Sequence, residues 1–98
     1  MSWINLGEVY CIVERAAGKR EAASVVCDLR RILTMDLPTA ERVLAAARIK
    51  ARYRMAYADA FAVATSNAHH ASLLTGDPEI LDADPNWPTV DLRKDQQR

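Results

Sequence analysis

The sequence predicts an α/β domain with helices around a small parallel sheet. Three observations point there. Helical periodicities alternate with short apolar runs of strand length, nothing between those runs gives a hairpin signal, and the segment Met55 to Ala64 is apolar almost all round. Alternating elements without hairpins imply a parallel sheet. A helix without a polar face is one that packs inside. At 98 residues, the chain suits one small domain with a thin stability margin.

Ser2 suits the cap of a first helix from Trp3 to about Ala17, with the stripe Leu6, Val9, Tyr10 and Val13 at helical spacing. Gly18 suits its stop, because glycine accepts the left-handed conformation past a helix end. A second helix runs from Lys19 to about Leu33. Its predicted buried stripe is Ala22, Val25, Val26, Leu29, Ile32 and Leu33, with Arg20, Glu21, Ser24, Asp28 and Arg31 facing water. Thr34 to Leu37 is a short strand candidate. Thr39 caps a third helix, with Glu41 near its positive end and Val43, Leu44 and Ala47 on one side. The buried helix spans Met55 to Ala68, and its alanines permit close packing. Ser72 to Thr75 reads as a buried strand broken by Gly76. Asp77-Pro78-Glu79 starts a short helix with Pro at its first position. Residues 84–88 form a loop, Thr89 to Leu92 a last strand, and residues 93–98 a polar tail after a single domain at 1–92.

Two or three strands are few for a parallel sheet covered on both faces. The chain opens directly on a helix cap, so the expected deficit is an initial strand.

Formal net charge is zero, with 13 basic and 13 acidic residues. Ten of the 13 basic residues are Arg, which suits bidentate phosphate contacts. Cys11 and Cys27 fall in helical patterns among apolar residues and read as reduced core residues. No signal-peptide pattern is present, and no apolar run approaches the roughly 20 residues that cross a bilayer. A cytoplasmic location is the expectation.

Three carboxylates stand in apolar surroundings. Glu8 lies on the helix side carrying Ile4, Cys11 and Ile12, Asp59 is the lone charge of the buried helix, and Asp77 follows a buried strand. Ligands of open α/β sheets bind beyond the carboxyl ends of strands. Buried carboxylates are costly unless paired or bound to a cation, and oxygen-only donors suit magnesium or manganese. Each acid has a plainer reading: Asp77 as an N-cap before Pro78, Asp59 as a partner of Arg54, Glu8 as a partly exposed helix residue. His69 and His70 end the buried helix, where positive charge is favoured, and read as structural. Trp3 and Trp87 read as packing residues.

The segments around the acids carry a family resemblance. Ser2-Trp3-Ile4-Asn5-Leu6-Gly7-Glu8-Val9-Tyr10 resembles the PIN-domain segment bearing that family's second acid. Tyr57-Ala58-Asp59-Ala60-Phe61-Ala62 is similar to the segment bearing its third. Leu73-Leu74-Thr75-Gly76-Asp77-Pro78-Glu79 resembles the strand end bearing its fourth. Order and spacing match from Ser2 to about Leu92, and the nearest likeness is to the VapC toxins of type II toxin–antitoxin pairs.

The resemblance implies an endoribonuclease holding Mg2+ or Mn2+ through Glu8, Asp59 and Asp77. Thr75 and Asn5 would be supporting groups, Asn5 by orienting Glu8 one helical turn on. Arg15, Lys19 and Arg20 would hold RNA phosphates. It also implies a small antitoxin as partner. The family's first strand, central in its sheet and ending in the first metal-binding aspartate, has no counterpart here, so the chain is expected to be impaired by itself. The alternative is a non-catalytic module that self-associates or binds a partner through uncovered edges and faces. A phosphotransfer domain would need a nucleophilic aspartate after an early strand, and none is present.

Overall fold

A computed structural model describes residues 1–71, 73–75 and 89–91. Its elements are α1 (Trp3–Ala17), α2 (Lys19–Ile32), α3 (Ala40–Arg52), α4 (Tyr57–Ala68), β1 (Leu73–Thr75) and β2 (Thr89–Asp91). The four expected long helices are all present. Those starting after Ser2 and Thr39 do so for local reasons. The Ser2 hydroxyl accepts from the Ile4 amide at 3.2 Å, and the Thr39 hydroxyl from the Arg42 amide at 3.1 Å. Each satisfies an amide that the helix leaves without an internal partner. Gly18, at φ 92°, ends α1 and starts α2, so one residue with positive φ makes the turn of a helical hairpin.

β1 and β2 pair in parallel, with Leu73 opposite Thr89 and Thr75 opposite Asp91. A broader helix-covered sheet is not seen among the described residues, which are mostly helical. The expected strand at Thr34 to Leu37 reduces to an isolated parallel bridge between Ser2 and Asp36. The predicted short helix at Asp77, the loop around Trp87 and the tail lie outside the described residues.

The core is where α3 and α4 meet. Ala46, Met55, Ala60, Phe61, Val63 and Ala64 are buried together, with Ala45, Ile49 and Tyr53 packed against them. Alanines on both helices let the backbones approach, and Phe61 fills the remaining space. Its ring lies 5.5 Å from that of Tyr57, tilted by 33°, within the favourable range for aromatic pairs.

Burial departs from expectation in several places. Cys11 and Cys27 are exposed free thiols and not core residues. On α1 Leu6 is buried but Val9, Tyr10 and Val13 only half-buried, and on α2 Ala22 is buried while Ile32 stands 77% exposed and Leu33 is also exposed. On α3 the inward side is Ala45, Ala46 and Ile49, leaving Val43 and Leu44 outside. On α1 and α2 the apolar stripe is wider than the contact the two helices make with each other, so its outer part stays at the surface. Trp3 packs as expected, half-buried with the Arg30 guanidinium 5.0 Å above its ring, a cation–π contact.

Asp36 is a knot that the sequence does not announce. Its backbone bonds Met1 and Trp3, its carboxylate meets the Arg42 guanidinium on α3, and its Oδ1 lies 3.0 Å from His69 Nε2 at the end of α4. His69 is thus structural, as predicted. His70 takes a left-handed φ of 51°. The amides of His70 and Ala71 then reach the Asn67 and Ser66 carbonyls, closing α4 with a Schellman-type cap. The Asp36 and Arg42 side chains are only 17% and 16% exposed, so losing one strands the other away from water. Asp36→Ala is expected to cost about 2 kcal/mol, seen as a lower midpoint in urea with an unchanged slope.

Candidate metal centre

The site is built where α1 crosses the start of α4. The first turn of α4 has no side-chain cap, since its N-cap position is Ala56. Other groups fix it from outside. Met55 is buried just before it, and Lys50 Nζ donates to the Met55 carbonyl at 3.2 Å. From α1, Asn5 Nδ2 donates to the Ala58 carbonyl at 2.8 Å. One bond from α1, across 53 positions, holds the turn that carries Asp59, and one from the end of α3 with buried Met55 holds the approach to it.

Asp59 follows Ala58 directly, in the first turn of α4, where the helix dipole favours a negative charge. It is half-buried rather than fully enclosed. Glu8 lies three residues after Asn5 on α1, so the two are neighbours on one helix surface, with Cβ atoms roughly 5–6 Å apart. The Asn5–Ala58 bond joins the turn of α1 just before Glu8 to the turn of α4 that carries Asp59. Glu8 is exposed, and so are Ile4, Cys11 and Ile12 around it. The apolar enclosure expected for Glu8 is not found, because that side of α1 lies at the surface. Among the described residues no hydrogen bond or ion pair engages its carboxylate.

Asn5 was expected to orient Glu8, but its amide goes to the Ala58 carbonyl. Thr75 is the last residue of β1. Asp77 lies outside the described residues. Arg15, Lys19 and Arg20 are all exposed around the Gly18 turn, in reach of solvent. Among the described residues no three His, Cys, Asp or Glu side chains form a metal-sized cluster. Glu8 and Asp59 lie on two helices that touch, and carboxylates fit a hard divalent ion in kind. Magnesium commonly uses one or two protein carboxylates and keeps waters on its other positions. The Asn5–Ala58 and Lys50–Met55 bonds are invisible in the sequence, because a backbone carbonyl acceptor leaves no trace in residue type.

Among the described residues no helix is long and apolar enough to cross a membrane. No curated protein and no solved structure matches the chain. A family model described as the PIN domain matches residues 1–85. That match spans α1 to α4 and the sequence of all three acids, and the chain belongs to the PIN domain family.

Proposed function

We propose that this chain is a divalent-metal-dependent endoribonuclease of the VapC toxin type, acting in the cytoplasm. PIN domains are generally nucleases and typically use divalent metal ions. The observation that supports the finer reading is the Asn5–Ala58 bond, which ties the helix bearing Glu8 to the helix bearing Asp59. On this reading Glu8, Asp59 and Asp77 hold Mg2+ or Mn2+. The ion supplies a bound water of lowered pKa and offsets charge on the phosphodiester. Asp59 contributes a carboxylate fixed by its helix turn. Exposed Glu8 contributes one that a hydrated ion can reach. Arg15, Lys19 and Arg20 attract RNA phosphates from the hairpin tip. The test is incubation with a labelled structured RNA. Cleavage that needs Mg2+ or Mn2+ and stops with chelator supports the proposal; metal-independent cleavage, or none at high enzyme, counts against it.

The partners we propose are a small antitoxin over the acidic site and a second copy of the chain. The outer face of α3 favours the second copy. Ala40, Leu44, Ala47 and Ala51 recur there at helical spacing, and Leu44 is 55% exposed. Exposed Glu41 and Arg48 lie along one flank of that face, symmetrically about Leu44 and Ala45. An antiparallel two-fold pairing of α3 with itself sets Glu41 against Arg48 twice, because such symmetry matches each flank with its own copy. Glu41→Arg should therefore dissociate the dimer in sedimentation at micromolar concentration, and Glu41→Arg with Arg48→Glu should restore it. A monomeric wild type sinks the idea.

A further inference from the structure

We infer that Asn5 is a positioning residue, a strut that sets the separation of Glu8 and Asp59 by holding the first turn of α4 against α1. The inference rests on the metal-site reading above and assigns Asn5 a role towards Asp59 and not only towards Glu8.

The start of α4 is not secured by its own sequence. α1 and α3 open on a Ser and a Thr whose hydroxyls accept an early amide, whereas α4, like α2 after Gly18, opens with no side-chain cap. A helix start without a cap tends to fray over its first turn. Asp59 sits in that turn. A metal ligand there needs external fixing, since ligands must be held within about 0.5 Å of their working geometry. Asn5 supplies it from the other ligand-bearing helix. Its Nδ2 reaches the Ala58 carbonyl at 2.8 Å, in a partly buried setting, across 53 positions of sequence. Asn5 is itself in the first turn of α1, whose start is anchored by buried Ser2 and its bridge to Asp36. The path from Glu8 to Asp59 thus runs through one turn of helix, one amide and one peptide unit. Lys50 holds the approach to that turn from α3 through Met55, but it carries no information about where Glu8 lies. Only a residue on α1 can tie the two acids together, and Asn5 has the donor, the reach and the observed bond.

The test uses the whole chain and two readouts, amide exchange without metal and Mn2+ affinity. Asn5→Leu keeps the side-chain volume and removes the donor. Exchange at the amides of Ala60 and Phe61 should rise roughly 2- to 10-fold, as loss of one net hydrogen bond implies. Mn2+ affinity should fall roughly 10- to 100-fold, the usual effect of losing a group that orients a ligand. Val26→Ala in α2, half-buried on a helix that bears none of the proposed ligands, is the control for lost stability, and its Mn2+ affinity should stay at the wild-type value. If Asn5→Leu does not fold, Asn5→Ser, too short to reach Ala58, carries the same expectations. Unchanged exchange at Ala60 and Phe61, or unchanged Mn2+ affinity in a folded Asn5 variant, overturns the strut. A wild type that takes up no Mn2+ while Asn5→Leu still loosens α4 overturns the metal-site reading instead, and the positioning role with it.

Discussion

Asp59→Asn should lower metal-dependent RNA cleavage by about 100-fold or more, with the fold intact. The size follows from what is removed. Replacing a group that merely orients a ligand commonly costs 10- to 100-fold in affinity or activity, and removing a ligand's charge should cost at least as much. The amide has the volume and shape of the carboxylate, so the packing of α4 is undisturbed. Asp59 is half-buried in the first turn of α4, where its interaction with the helix dipole contributes about 0.3–1 kcal/mol. Thermal unfolding should therefore move by a few degrees at most. The measurement is initial cleavage rate at saturating Mn2+, beside a melting curve by circular dichroism. Glu21→Gln, on the exposed side of α2, should behave as wild type in both. A large loss of stability in Asp59→Asn would mean that the carboxylate serves packing instead of metal.

Phe61→Ala should destabilise the domain by about 3–5 kcal/mol. Phe61 is 5% exposed and is the largest of the buried residues in the α3–α4 cluster, with Ala46, Met55, Ala60, Val63 and Ala64. The alanines among them have no side chain long enough to swing inward and fill the space it leaves. The cavity therefore persists, and the cost falls at the upper end of the usual range. A domain of this size has roughly 5–15 kcal/mol in all, so a substantial part of its stability is lost. Urea unfolding should show a much lower midpoint. Because α4 also carries Asp59, Mn2+ affinity should decline along with it. A loss under about 1.5 kcal/mol would mean that the core lies elsewhere.

How much of this was legible follows the range of the interactions. Ser2, Thr39 and Gly18 act on residues within a few positions, and the sequence located their caps and turn correctly. The run from Met55 to Ala64, apolar almost all round, declared a buried helix, because a helix without a polar face has nowhere else to go. Periodicity was a poorer guide to burial elsewhere. It marks a stripe that wants cover but not what covers it, so Cys11, Cys27 and Ile32 were expected inside and stand outside. Asp36 read as part of a short strand candidate, and its role stayed hidden because its partners, Arg42 and His69, lie on two later helices. In the site, the resemblance picked out Glu8 and Asp59 by the residues around them. The bond that joins their helices was invisible, since Asn5 meets a carbonyl 53 positions away.

The central claim is that Glu8 and Asp59 hold the same ion. The direct measurement is carboxyl-carbon NMR of the 98-residue chain during a titration with Mn2+, which broadens signals near it. The account predicts that the Glu8 and Asp59 carboxyl signals fade together at low Mn2+, while those of exposed Glu21 and Glu41 persist. Equal fading of all exposed acids, or Glu8 and Asp59 responding at different Mn2+ levels, would contradict it.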